Sequence, residues 1–198
     1  MKSLKTDGFK KIGTTKFKVY KTMFTVKQRS AWSGFTYDIL DTRENVAGTL
    51  VWPDFPLAKN ARLRSAVPGT WSTAIELNCE GANYVIAYEY LSRGWKNDIR
   101  FSLQLHDQLL VSVDCIQSTK LFARSSMSFT HPFNASLKRL KGFFSTAYEL
   151  KSPTGSLGKI YEMGGLHLRR ELVADLHQSI STPIQLFTIF LVLNHAYR

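Results

Sequence analysis

The sequence predicts an all-β protein: about twelve mainly antiparallel strands closed into a barrel around a hydrophobic C-terminal α-helix. Three observations predict it. Aromatic residues make up 13% of the 198 residues, with 13 Phe and 8 Tyr, a composition that suits pleated, half-buried surfaces. Short alternating runs follow one another along the chain, separated by turn residues. The last apolar segment has no polar face, so it must be enclosed on every side.

The runs can be taken in order. Phe17 to Val26 opens the series, followed by Phe35 to Leu40, a polar turn at Asp41 to Asn45, and Val46 to Trp52. Next are Ala61 to Ser65, a Pro68-Gly69 turn, Trp71 to Leu77, a turn through Glu80-Gly81, and Tyr84 to Leu91. After the Arg93-Gly94 break lie Ile99 to Leu105, a His106-Asp107 hairpin turn, Leu109 to Ile116 and Lys120 to Arg124. Gly142 to Leu150, a turn at Pro153-Thr154-Gly155, Leu157 to Glu162, a Gly164-Gly165 pair and Leu166 to Leu172 complete it. No run is followed by a long amphipathic helix, which argues against a parallel βαβ fold.

Thr182-Pro183-Ile184-Gln185 predicts a helix start, with Thr182 as cap, Pro183 in the first turn and Gln185 closing a Thr-x-x-Gln box. Leu186 to Leu193 is apolar except for Thr188. A transmembrane span needs about 20 residues, more than remain after the cap, so the expected container is the barrel itself. A barrel of more than about eight strands leaves a lumen that side chains from the wall cannot fill. A helix over about 183–197 supplies the missing filling.

Charge is uneven. The formal net charge is +11 and the isoelectric point about 9.7. Met1 to Ser30 holds nine Lys/Arg against Asp7 alone. Residues 1–16 are thus expected to be a basic N-terminal segment, with 17–198 a single domain. Lys10, Lys11, Lys16, Lys18 and Lys21 are candidate contacts for a polyanion, nucleic acid or an anionic membrane surface; the alternative is a solubilising terminus. Lys16, Lys18 and Lys21 interrupt any signal-peptide core, and two cysteines are too few for a disulfide framework, so a cytoplasmic protein is expected, able to sit peripherally at a membrane.

The C-terminal helix and two hairpins carry a resemblance. Tyr37-Asp-Ile39-Leu-Asp41 leading to Val46-Ala-Gly48-Thr-Leu50, and Tyr148-Glu-Leu150-Lys-Ser152 leading through Pro153-Thr-Gly155 to Leu157-Gly158-Lys-Ile160, look like two copies of one element. With the terminal helix they cover most of Phe35 to Arg198. The combination resembles the tubby-like superfamily, which includes the phospholipid scramblases and the LURP-one-related proteins. The resemblance implies a barrel around a buried helix and recognition of phospholipid. The Cys-rich and acidic calcium-binding stretches of scramblases are not visible in this sequence.

Motifs for chemistry are sparse. There is no Gly-x-Ser-x-Gly elbow, and Cys79 and Cys115 fall within expected strands, as buried thiols do. The five histidines show no metal-ligand spacing. Pro153 to Ile160 lacks the phosphate-loop pattern, with Ile160 where a hydroxyl is required. No catalytic residue, metal or cofactor is assigned. His195 is expected to interact with the carbonyls at the helix C-terminus.

Basic clusters are the remaining candidates. Lys59, Arg62 and Arg64 include two guanidinium groups on one face of an expected strand, able to grip phosphate. Lys138, Arg139 and Lys141 precede Phe143-Phe144, a composition suited to headgroup contact with apolar insertion. His167-Leu-Arg169-Arg170 is a third cluster. The alternative for each is a solvated face or an ion pair with Glu76, Glu89 or Glu171. Two function classes follow: a non-enzymatic module for anionic phospholipid headgroups, or a nucleic-acid binder using the lysine-rich end with Phe9, Phe17 and Tyr20 as stacking platforms. A structural or interaction role is a third reading.

Overall fold

A computed structural model describes residues 21–29, 35–52, 75–92, 98–117, 126–140, 147–163 and 171–196. Twelve strands and one helix account for most of them. The strands are β1 (Lys21–Gln28), β2 (Phe35–Leu40), β3 (Val46–Trp52), β4 (Ile75–Cys79), β5 (Ala82–Tyr90) and β6 (Ile99–Leu105), then β7 (Gln108–Ile116), β8 (Ser126–His131), β9 (Ala135–Arg139), β10 (Ala147–Ser152), β11 (Gly155–Glu162) and β12 (Glu171–His177). The helix α1 spans Thr182–Ala196.

Each strand pairs antiparallel with its neighbours in chain order, and β1 closes the barrel on β12 from Lys21↔His177 to Lys27↔Glu171. Closure leaves no free sheet edge. Side chains alternate across the wall with the strand period of two: Phe35, Tyr37 and Ile39 of β2, Ile75 and Leu77 of β4, and Phe101 and Leu103 of β6 are buried inside. The positions between them include Asp38, Glu76, Arg100 and Ser102. A lipid-embedded barrel has an apolar outer band, so this charged wall faces water. Among the described residues no helix is long and apolar enough to cross a membrane.

Two hairpins close on residues that tolerate left-handed backbone. Glu80 (φ 52°) with Gly81 (φ 75°), and His106 (φ 47°) with Asp107 (φ 65°), have the paired positive φ of a two-residue hairpin turn. In the turn after β2, Asp41 Oδ1 accepts from the backbone N–H of Arg43 (2.8 Å) and Asn45 (2.9 Å).

The two hairpins that look like copies are alike in geometry. In β2–β3 the register shifts just after Ile39, which faces Gly48; in β10–β11 it shifts just after Leu150, which faces Gly158. Both glycines are required by close approach. A Cβ at Gly48 would stand 2.5 Å from Leu186 Cδ1 and 2.9 Å from Asn78 O, and one at Gly158 would collide with the backbone of Asp175 and Leu176.

The helix runs along the lumen, and every residue from Leu186 to Asn194 is buried. Thr188, the polar residue between Leu186 and Leu193, is satisfied locally, its Oγ1 donating to Ile184 O at 2.8 Å. The start differs from the expected capping box. Ser181 O accepts the Gln185 backbone N–H (3.0 Å), which makes Ser181 the cap and Thr182 the first helical residue. The Gln185 side chain instead turns back, its Nε2 donating to Ile180 O (2.6 Å) and His177 O (3.3 Å), because buried carbonyls of the preceding turn need donors.

Strand positions also differ from expectation in places. β8 and β9, which meet across a turn containing the cis His131-Pro132 bond, are not among the expected runs. β9, made of Ala, Ser, Leu, Lys and Arg, holds no strong strand former, and β8, with two serines, holds only Phe129 and Thr130. The last strand, Glu171–His177, pairs with both β1 and β11, which selects Leu172, Ala174 and Leu176 as its inward set; of the expected run Leu166 to Leu172, residues 166–170 lie outside the described residues. The expected runs Ala61 to Ser65 and Lys120 to Arg124 lie outside the described residues.

Candidate functional site: the mouth at the helix C-terminus

An antiparallel barrel in chain order places alternate connections at alternate ends. The short turns at 41–45, 80–81, 106–107, 132–134, 153–154 and 178–181 gather at one end, where α1 enters. The strand ends bordering residues 30–34, 53–74, 93–97, 118–125, 141–146 and 164–170 gather at the other, where α1 finishes.

Charge divides with them. The short turns hold Asp41, Glu44, Glu80 and Asp107 against Arg43 alone. As sequence, the six longer stretches hold ten Lys/Arg against Asp54 alone. The isoelectric point therefore comes from the N-terminal segment and from stretches whose bordering strand ends share one end of the barrel, while the turns at the other end are net acidic.

Below this mouth lies an aromatic layer contributed by strand ends. Phe190 of α1 has its ring centre 5.3 Å from Phe101, 5.8 Å from Phe35 and 6.4 Å from Trp52. Tyr88 stands 6.2 Å from Trp52 and 6.2 Å from Tyr90. Tyr88 and Tyr90 continue the inward face of β5 but are only half-buried. Burial, and then the neighbouring Tyr90, pushes the Tyr88 phenol up from its ordinary pKa. Edge-to-face packing of this kind stiffens the rim as well as filling it.

At the helix end, His195 Nδ1 lies 2.7 Å from Tyr148 OH, and the rings meet edge to face at 84°. His195, expected to serve the helix carbonyls, is thus engaged by the wall: Tyr148 points inward from β10 at the height where the last turn of the helix arrives.

Ion pairs brace the outside of the same end. Arg29 grips Asp38 through Nε and Nη2 at 2.9–3.1 Å, and Lys27 Nζ lies 3.8 Å from Glu171. Arg100 donates to Asp114 at 2.6 and 3.0 Å and to Glu89 at 3.3 Å; Asp114, then lesser contributions including Glu89, raises the Arg100 pKa. Asp98 ties two strand ends together, accepting from Gln117 N–H (2.8 Å) and Ser92 Oγ–H (2.9 Å). Glu89 and Glu171, weighed above as partners of the basic clusters, thus have partners on adjacent strands.

The sequence-derived candidates are distributed as follows. Lys138 and Arg139 are both exposed at the end of β9, but strand parity separates them: Leu137 is inward, Lys138 outward, and Arg139 inward-facing at the rim, opposite Tyr148 in register. Lys141 lies outside the described residues, as do Lys59, Arg62 and Arg64, within the stretch 53–74 that begins and ends at this mouth. Lys10, Lys11, Lys16 and Lys18 are also outside them. Lys21 begins β1 at the opposite, short-turn end.

Cys79 and Cys115 are buried free thiols; burial, reinforced by Glu80, pushes Cys79 up to about 12. A thiol so poised is not a nucleophile near neutral pH. Among the described residues no three of His, Cys, Asp and Glu come together as a metal site. The aromatic layer and the Tyr148–His195 pair were not among the sequence candidates. Tyr88-x-Tyr90 at a strand end was the only local signal for the former, and none exists for a pair 47 residues apart.

No protein-family model, curated protein or solved structure matches the chain.

Proposed function

We propose that the protein is a non-enzymatic binding module for anionic phospholipid headgroups, acting peripherally at a membrane surface through the mouth at the helix C-terminus. One observation carries the reading: the chain's six longer connections, with ten Lys/Arg against one Asp as sequence, all join strand ends that share a single end of the barrel. Each basic residue near an anionic surface contributes about 1 kcal/mol, and the charges must share a face to act together, because a Debye length is only about 8 Å at physiological salt. Lys59, Arg62, Arg64, Arg139 and Lys141 belong to this end by connectivity. Lys138, on the outer wall, is a flanking charge. The lumen, filled by buried helix side chains, supports binding at the rim rather than chemistry inside. A twelve-stranded barrel around a C-terminal helix also supports kinship with the tubby-like superfamily.

Flotation of the full chain with phosphatidylcholine vesicles, with and without phosphoinositide, tests the proposal. Binding is expected only to the charged vesicles, weakened by salt and by Arg62→Ala with Arg64→Ala. Absence of flotation near physiological salt would end it.

A second reading, nucleic-acid binding by Lys10, Lys11, Lys16, Lys18 and Lys21, is separable on one observation: β1 begins at the acidic, short-turn end, so the N-terminal lysines join the barrel opposite the basic mouth. Gel shifts on single-stranded and duplex DNA should then be abolished by removing residues 1–16 and left intact by the Arg62/Arg64 change, with log affinity falling steeply with log salt.

A further inference from the structure

We infer that two copies of this chain pair through the outer face of β11, β12, β1 and β2, about a two-fold axis that runs parallel to the strands between β12 and β1. One row of outward-facing residues crosses six adjacent strands there without a charge. Register neighbours run Val46, Leu40, Thr25, Val173, Tyr161, Ala147, on β3, β2, β1, β12, β11 and β10. Val46 is 61% exposed and Tyr161 40%; on the same face Met23, two residues before Thr25, is 48% exposed and Met163, two after Tyr161, is 46% exposed. Other outward rows alternate in charge. Lys138, Glu149, Lys159 and Asp175 form the row beside this one, and Glu89, Arg100 and Asp114 cross the opposite wall. A contiguous apolar patch within a charged wall marks a contact surface. The closed barrel has no edge to which a partner could add a strand, so the contact is face to face.

Charges bordering the patch select a second copy as the occupant, and fix its orientation. Toward the mouth, the next row holds Met163, Glu171, Lys27 and Asp38. Lys27 and Glu171 lie 3.8 Å apart with their side chains 48% and 30% exposed, so each can take a further partner. A two-fold parallel to the strands exchanges β12 with β1 and β11 with β2. Val173 then meets Thr25 of the second copy, Tyr161 meets Leu40, and Lys27 meets Glu171, each contact being made twice. At the corners Met163 meets Asp38, whose carboxylate is already held by Arg29. A two-fold along the row would instead set Glu171 against Asp175, like charge on like, which is unfavourable. The wall is convex, which confines contact to the strands beside the axis, so the pair belongs with the small, transient interfaces. It is independent of the phospholipid reading.

Sedimentation equilibrium of the full chain, taken up to about 1 mM, tests the pairing. A monomer–dimer equilibrium is expected. Met23→Glu with Tyr161→Glu should weaken it about tenfold or more, whereas Val85→Glu with Leu109→Glu, at similarly exposed positions on other strands, should leave it unchanged. Lys27→Glu alone and Glu171→Lys alone should each lose the dimer. An equimolar mixture of those two variants should regain it as a heterodimer, because every facing pair is again of opposite sign. Within either variant chain residues 27 and 171 stay alike in charge, so a purely intrachain bridge cannot produce this rescue. A chain that stays monomeric throughout overturns the inference, as does a dimer indifferent to Met23→Glu with Tyr161→Glu. A mixture that stays monomeric overturns the two-fold arrangement.

Discussion

The hydroxyl of Tyr148 lies 2.7 Å from Nδ1 of His195, joining the mouth end of the barrel wall to the last turn of the helix it encloses. Helix ends fray unless their last groups find partners, and this bond anchors the end nearest the basic mouth. Tyr148→Phe keeps the ring and removes the hydroxyl. It should cost about 1 kcal/mol in urea unfolding and raise amide exchange first in the last helical turn. Unaltered exchange there would mean that the bond does not restrain the helix.

Phe190 is fully buried among Phe35, Trp52 and Phe101, where the lumen is filled by rings from both wall and helix. Phe190→Ala should destabilise by about 3–5 kcal/mol, read as a lowered Tm and urea midpoint. Thermal stability equal to that of the parent would contradict the placement of the helix inside the barrel.

Gly48 and Leu186 form a size-matched pair, the glycine leaving room for the leucine side chain. Gly48→Ala should cost about 1–3 kcal/mol by overpacking. Part of that loss should return in the double variant Gly48→Ala with Leu186→Val, so a double-mutant cycle should show coupling. Additive effects would indicate that the clash with Asn78 O dominates.

Glu149 accepts from Lys151 Nζ (3.1 Å) and Ser156 Oγ (3.0 Å). Lys151, with Ser156, holds its carboxyl below the usual carboxylate range. A depressed folded-state pKa contributes stability that is present above the unfolded carboxylate value and is lost as pH falls through the folded one. The acid limb of the stability curve should therefore flatten in Glu149→Gln, while the plateau near neutral pH drops to meet it. An unchanged acid limb would show that the contact is exposed enough to be silent.

Much of the architecture was legible because its signals are local. Tyr37 and Ile39, or Ile75 and Leu77, show the strand period within a few residues, and the Glu80-Gly81 and His106-Asp107 turns are marked by residues that tolerate positive φ. Local signals failed at β8 and β9, whose strand state is decided by pairing with β7, with each other and with β10. They failed again at Gln185, whose side chain is drawn to carbonyls of a turn that no capping rule includes. The candidate site was the least legible part, because Tyr148 and His195, 47 residues apart, meet only when the helix seats inside the barrel.

By itself the sequence determined the number and kind of elements, the helix that must be enclosed, and an excess of basic charge. These follow from residue periodicity, turn chemistry and composition, each of which acts over a few neighbours. Only the tertiary structure decided which ends of the strands share a mouth, and so that the basic stretches leave and rejoin the barrel at the end opposite the acidic turns. The reason is topological: antiparallel pairing in chain order sends every second connection to the same end, so stretches scattered through the sequence start and finish together.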